Sequence, residues 1–161
     1  RRIEVNELLG NADMHLKNLG LIYRDRRHAE LAPAYDITAT FLYAGARGHA
    51  LLLMPDAQTQ DKQHVEPIFN PARLQAFCNA LGLQVAGASK VVRDVAAEAS
   101  RHWLAPMLAS GLTPRQKQQL LARVANHPHL RQALQRLRRP DLLAAWDEAA
   151  RAEGMRGGVP G

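Results

Sequence analysis

The sequence predicts an α+β domain, mainly α-helical, with a small antiparallel β-hairpin near its N-terminus. Three observations predict it. From residue 70 onward, apolar residues recur at helical spacing between recognisable caps. Upstream, two short apolar runs, 19–23 and 29–32, flank the polar connection Arg24-Asp25-Arg26-Arg27-His28. Between an opening amphipathic segment and that hairpin stands a polar cluster, Gly10-Asn11-Ala12-Asp13-Met14-His15-Leu16-Lys17-Asn18, bracketed by core-forming residues. The 161 residues are enough for one domain with its own core, or for one lobe of a larger protein.

Taken in order, residues 3–10 place Ile3, Glu7 and Leu8, or Val5, Leu8 and Leu9, on helical faces, so a helix should end near Gly10. It opens at the edge of the sequence without a cap, which predicts a piece cut from something larger. Pro33 removes a backbone donor after the second strand and marks a strand end, from which the chain delivers Asp36. Residues 38–48 read as irregular, with Gly45 and Gly48 bounding a basic turn. His49 to Met54 is apolar enough for a third strand, and 55–67 reads as a loop. Its Asp56, Asp61 and Glu66 lack metal-ligand spacing and are expected to face solvent.

Asn70-Pro71 is a helix start, with Asn as N-cap and Pro at the first helical position. That helix should run to Leu81, with Gly82 as C-cap. A second helix is expected over about 88–108, with Val91, Val92, Val95, Ala99 and Trp103 on its apolar side and Gly111 ending it. Thr113-Pro114-Arg115-Gln116 is a capping box that starts a third, which carries Leu120, Leu121 and Val124 and stops near His127-Pro128. The last helical region, 130–153, carries Leu134, Leu137, Leu143 and Trp146 and should be divided at Pro140. Residues 154–161, rich in glycine, read as a disordered tail.

The net charge is +6, from 21 Lys and Arg against 15 Asp and Glu, and much of the excess is arginine at 24–27 and 131–139. Such clusters are either solvated helix faces or contacts for an anionic partner. Aromatic residues make up 5% of the chain, so stacking platforms for single-stranded nucleic acid are not in evidence. A lone cysteine, Cys78, excludes an internal disulfide framework and fits a reducing, cytoplasmic setting; its position on an apolar face reads as a small buried hydrophobe. No stretch resembles a signal peptide or is long enough to span a membrane.

Within the polar cluster, Asp13 and Asn18 stand five residues apart. Phosphoryl transfer needs a carboxylate to orient the attacking hydroxyl and a neutral oxygen ligand to help hold magnesium on the nucleotide phosphates. The catalytic loop of protein kinases supplies both at this spacing. A further carboxylate must come from a separate strand end, and Asp36 is placed for it, where the segment reads Asp36-Ile37-Thr38 rather than Asp-Phe-Gly. His15 could meet a phosphate oxygen or orient the base, and Lys17 could reach a phosphate. The bland alternative is a turn, in which Asp13, Asn11 and Asn18 satisfy loop backbone donors.

The cluster, followed by Leu31-Ala32-Pro33-Ala34-Tyr35-Asp36-Ile37, resembles the HipA family of bacterial serine/threonine toxin kinases. That family carries a Gly-Asn-x-Asp-x-His-x-Lys-Asn loop, a short hairpin and then a Leu-x-Pro-x-Tyr-Asp segment. The resemblance implies a kinase-like C-lobe over residues 1–153, its specific part being 10–37. Residue by residue it makes Asp13 the catalytic base, with His15 and Lys17 in supporting catalytic roles. Asn11 and Asn18 fall to cofactor binding, and Asn18 and Asp36 become the magnesium ligands. ATP and Mg2+ are the implied cofactors of the parent protein, and a Ser/Thr-containing protein is its substrate. A helix-turn-helix antitoxin is the implied partner, with operator DNA met only indirectly and no membrane.

The family's phosphate-covering loop, nucleotide-binding lysine, hinge and regulatory serine all precede the catalytic loop. Only twelve residues precede Asp13 here, so the chain alone is expected to be inactive. After His49-Ala50-Leu51, relatives often have a glycine-containing turn where this chain has Leu53-Met54-Pro55. Two rival readings stand beside this one. Aminoglycoside-type and phosphoinositide kinases share the Asp, His and Asn, whereas Asn11, Lys17 and the Pro-x-Tyr-Asp segment favour the HipA reading. The other rival is a non-catalytic helical module whose basic surface, including Arg131, Arg136, Arg138 and Arg139, contacts an antitoxin or nucleic acid.

Overall fold

The structure is a computed structural model, and it describes residues 1–44 and 69–155. Helix α1 (Arg2–Leu9) ends at Gly10, whose φ of 72° puts it in the left-handed region. A single 3-10 turn follows at Leu16–Asn18. Strands β1 (Leu21–Tyr23) and β2 (Ala29–Leu31) then pair antiparallel in the register Leu21↔Leu31, Ile22↔Glu30 and Tyr23↔Ala29. In their connection Asp25 accepts the backbone N–H of Arg27 (3.0 Å) and of His28 (2.7 Å), which fixes the turn locally. The hairpin is shorter than its apolar runs predict, because Leu19 serves as the C-cap of the 3-10 turn. Gly20 still contributes, its carbonyl accepting from the Ala32 N–H at 2.8 Å.

A short helix, α2 (Phe41–Ala44), occupies part of the stretch expected to be irregular. Its first N–H, on Phe41, donates to the Gly10 carbonyl (3.3 Å), a contact 31 residues back in sequence that no local pattern encodes. The third strand expected at 49–54, the loop after it and the tail beyond residue 155 lie outside the described residues.

Helix α3 (Pro71–Leu81) starts and stops as its punctuation predicts: Asn70 accepts from the Arg73 N–H (2.9 Å), and Gly82 takes φ 64°. The long helix expected over 88–108 is instead two. Helix α4 (Val85–His102) starts earlier, and a break at Trp103 separates it from α5 (Leu104–Ala109). Pro106 supplies the reason. It has no N–H for the His102 carbonyl, and its ring would clash with that carbonyl in a continuous helix. Helix α6 (Pro114–Asn126) opens on the reciprocal capping box, Gln116 N–H to Thr113 Oγ1 (3.3 Å) and Thr113 N–H to Gln116 Oε1 (3.1 Å). Helices α7 (Pro128–Leu137) and α8 (Pro140–Met155) divide at Pro140, and α7 begins two residues before its first apolar anchor because Pro128 fits the first helical position.

The core is helix on helix. Helix α6 packs along α8, and α4 along α7. Leu8 from α1 joins Val95, Ala99, Leu121, Val124, Leu130, Leu134 and Trp146 in one buried cluster. Trp146 is fully buried, and its indole N–H donates to the Ser100 carbonyl at 2.9 Å, so its polar edge is satisfied. A smaller cluster of Phe69, Leu74, Cys78 and Val92 sits between α3 and α4, with Cys78 buried as its apolar position predicts. The hairpin stands away from this core: Leu21, Tyr23 and Leu31 are all exposed.

Candidate active site

The polar cluster begins where α1 is pinned to α6. A Cβ on Gly10 would lie 2.4 Å from Arg123 Nε and 2.6 Å from a Phe41 ring carbon. Arg123 donates to the Glu7 carbonyl (3.0 Å) and stacks 5.2 Å from the Phe41 ring centre. Its pKa is lowered by burial, which the charge of Glu7 opposes. The loop therefore leaves α1 from a fixed point.

Asn11 is the hub. It is 2% exposed, and its amide nitrogen donates to Asn6 Oδ1 (2.6 Å) and to the Asp36 carbonyl (3.0 Å). Its oxygen accepts from the Asp13 N–H (3.1 Å) and from the Thr40 hydroxyl (3.4 Å). Thr40 in turn accepts from the Ala12 N–H (2.8 Å). One buried amide thus ties together the end of α1, the backbone of Asp13 and the backbone of Asp36. Met14, 4% exposed, drops into the interior and leaves Asp13 on the outside.

The second link closes the constellation. Asn18 is buried, its Oδ1 accepts from the His15 N–H (2.9 Å), and its Nδ2 donates to Asp36 Oδ2 at 2.5 Å. The bond to the His15 N–H assigns which end of the amide is oxygen, so the nitrogen faces the carboxylate. Asp36 is exposed and holds φ 56°, a left-handed conformation that Asp adopts more readily than most residues. The Tyr35 hydroxyl donates to the Lys17 carbonyl, which holds the strand end against the 3-10 turn.

Asn11, Asn18 and Asp36 are joined by side-chain hydrogen bonds. Asp13 and His15 are held through their backbone N–H groups, with the Asp13 side chain exposed and the His15 ring half-buried. Lys17 is exposed, and its carbonyl rather than its ammonium is tied in. Asp36 is open to solvent and offers the carboxylate oxygens that a hard cation such as Mg2+ takes, whereas Asn18 turns its nitrogen to Asp36 and its oxygen to the His15 N–H, so its amide must turn over before the pair can share that ion. Asn6, Thr40 and Arg123 support the site and were not picked out in the sequence. A polar residue on the inward face of α1 was a usable signal for Asn6; nothing local marks Thr40 or Arg123.

Residues 1–103 match the family described as HipA-like C-terminal domain. Over 52 residues, 32% of this chain, the sequence is 50% identical to a Sinorhizobium fredii protein named "Putative kinase Y4dM", of which the matched stretch is 13%. Over 55 residues, 34% of this chain, it is 42% identical to a Haemophilus influenzae protein named "Putative kinase", of which the stretch is 16%. The chain thus matches less than a fifth of the length of these relatives. No solved structure matches.

Proposed function

This chain belongs to the HipA-like C-terminal domain family, and on that premise we propose that it is the catalytic-loop lobe of an ATP-dependent serine/threonine protein kinase. The observation that carries the reading is the 2.5 Å bond between Asn18 Nδ2 and Asp36 Oδ2, which joins two motifs that lie 18 residues apart. A loop that merely satisfied its own backbone would not need the exposed carboxylate of a distant strand end. The kinase names of both relatives support the same reading.

In this reading Asp13 faces the protein hydroxyl, orients it and accepts its proton as the γ-phosphoryl group passes from ATP to that oxygen, with ADP leaving. Asp36 would hold Mg2+ together with Asn18, whose amide would exchange its bonds to the His15 N–H and Asp36 for the ion, and the ion would supply charge neutralisation on the phosphates. Asn11 fixes the backbone of both carboxylate residues, so the distance between base and metal ligands is set by one buried amide. His15 and Lys17 lie beside Asp13 and add positive or hydrogen-bonding character toward phosphate oxygens. Phosphoryl transfer depends almost wholly on positioning and charge stabilisation, which is what this network provides. The parent is a cytoplasmic toxin that pairs with a helix-turn-helix antitoxin and meets operator DNA only through it.

The test uses the whole parent protein. Asp13→Asn should abolish transfer of labelled γ-phosphate to protein substrate, and full activity in that variant would overturn the role of Asp13. Transfer to a small hydroxyl compound in place of a protein would move the parent to the small-molecule phosphotransferases. The 161-residue chain itself supplies the base and metal ligands but no phosphate-covering loop among the described residues. Calorimetry of this chain with ATP and Mg2+ should therefore show no binding, and a micromolar dissociation constant would sink that expectation.

A further inference from the structure

A second cluster of ligand-type side chains joins α1 to the start of α7. Glu4 projects from α1, and His127 and His129 from the start of α7, so that one ligand atom from each falls within 4.8 Å of the other two. We propose that Glu4, His127 and His129 form a structural site for a divalent first-row transition metal of the zinc type, which clamps α1 to α7.

Four observations support it. Two of the groups are buried, Glu4 at 1% exposed and His127 at 5%, and His129 is half-buried. Their hydrogen bonding is incomplete: Glu4 Oε2 and His127 Nε2 are buried without a hydrogen-bond partner, His127 Nε2 standing 3.5 Å from Glu7 Oε1 as an ion-pair contact, while His127 Nδ1 accepts the His129 N–H at 3.3 Å, a helix-capping bond it would give up to ligate through that nitrogen. A buried polar atom left in that state is costly, and a ligated cation removes the cost. His129 is already oriented as a ligand: Nδ1 faces Glu4 Oε1 at 2.8 Å while the ring also bonds the Phe69 backbone, the outer contact that fixes a metal-binding imidazole. Finally, His129 forms part of the wall of a cavity of about 570 Å³, which gives an ion a route in.

Two imidazoles and a carboxylate select zinc, cobalt or nickel over magnesium or calcium, which prefer all-oxygen sets. Without metal the cluster can hold itself with a proton. Burial pushes the His129 pKa down, but the hydrogen bond to Glu4 and the charges of Glu4 and Glu7 outweigh it, so the pKa is raised overall. An incoming ion competes with that proton, so the titration belongs on the alkaline side of neutrality.

The experiment takes the 161-residue chain, strips it with a chelator, and titrates it at about pH 8 with Zn2+ by calorimetry and with Co2+ by visible absorption. One ion per chain should bind. Co2+ should give the intense bands of a four-coordinate site, and Zn2+ at about a hundredfold excess over its dissociation constant should raise the melting temperature by roughly 5–10 °C. His129→Gln and Glu4→Gln should each weaken Zn2+ binding by tenfold or more, whereas His28→Gln and His102→Gln, on exposed histidines, should not. The wild-type titration needs no variant to fold, so it stands alone. No stoichiometric binding by the wild-type chain overturns the proposal. So does binding that survives loss of His129 and disappears with His28 or His102.

Discussion

Replacing Gly10 with alanine tests whether the polar loop is launched from a fixed point. Two penalties arise at this position. Alanine must hold φ near 72°, a left-handed conformation that costs an L-residue roughly 1–2 kcal/mol. Its Cβ would also sit 2.4 Å from Arg123 Nε, 2.6 Å from Phe41 Cδ1 and 2.9 Å from Arg123 Cδ. Neither neighbour is free to move, since Arg123 is hydrogen-bonded to the Glu7 carbonyl and stacked on that same Phe41 ring. Overpacking of this kind costs about 1–3 kcal/mol. Together they predict a loss of about 3 kcal/mol, or a melting temperature lower by about 6–12 °C for a chain of this size. Gly82→Ala is the control. Its φ is 64°, but nothing lies within 4 Å of the new Cβ, so only the backbone penalty applies, about 1 kcal/mol. Urea denaturation of both variants isolates the packing contribution as their difference. If the two losses agree to within about 0.5 kcal/mol, Arg123 and Phe41 yield without cost and the anchoring argument fails.

Two further substitutions probe the hub and the core. Asn11→Asp replaces a buried donor with an acceptor facing Asn6 Oδ1 and the Asp36 carbonyl, and should destabilise by about 2–4 kcal/mol in urea denaturation; a loss under about 0.5 kcal/mol would remove Asn11 from the centre of the network. Trp146→Phe deletes the 2.9 Å bond to the Ser100 carbonyl and part of a fully buried ring, so a loss of about 2 kcal/mol is expected, and a thermal melt matching wild type would contradict the burial of that indole.

The helices were legible wherever their ends are written locally. Asn70-Pro71 with Gly82, the Thr113–Gln116 box and Pro140 each act within a few residues, and the structure places helix boundaries at all of them. The α4–α5 break is also written locally, in Pro106, although Val92, Val95, Ala99 and Trp103 keep one helical period across the stretch before it. The 3-10 turn and α2 are too short for periodicity to register.

The same division holds at the site. Spacing alone put Asp13, His15 and Asn18 in one loop and singled out Asp36 as the separate carboxylate, because residue order is enough to define a motif. It could not decide that Asn18 would turn its nitrogen toward Asp36, nor that Asn11 would grip the Asp36 carbonyl. Those choices depend on where the chain returns after the hairpin. Arg123 reaches Glu7 and Gly10 from 116 and 113 residues away, and His129 reaches Glu4 from 125, along a path set by how α6 and α7 pack against α1. The sequence by itself determined the capped helix ends, the hairpin and the chemical inventory of the loop, since caps, breakers and motifs act over a turn or two of chain. The tertiary structure decided which of those groups meet, because burial and hydrogen-bond pairing are settled only when distant elements share a core.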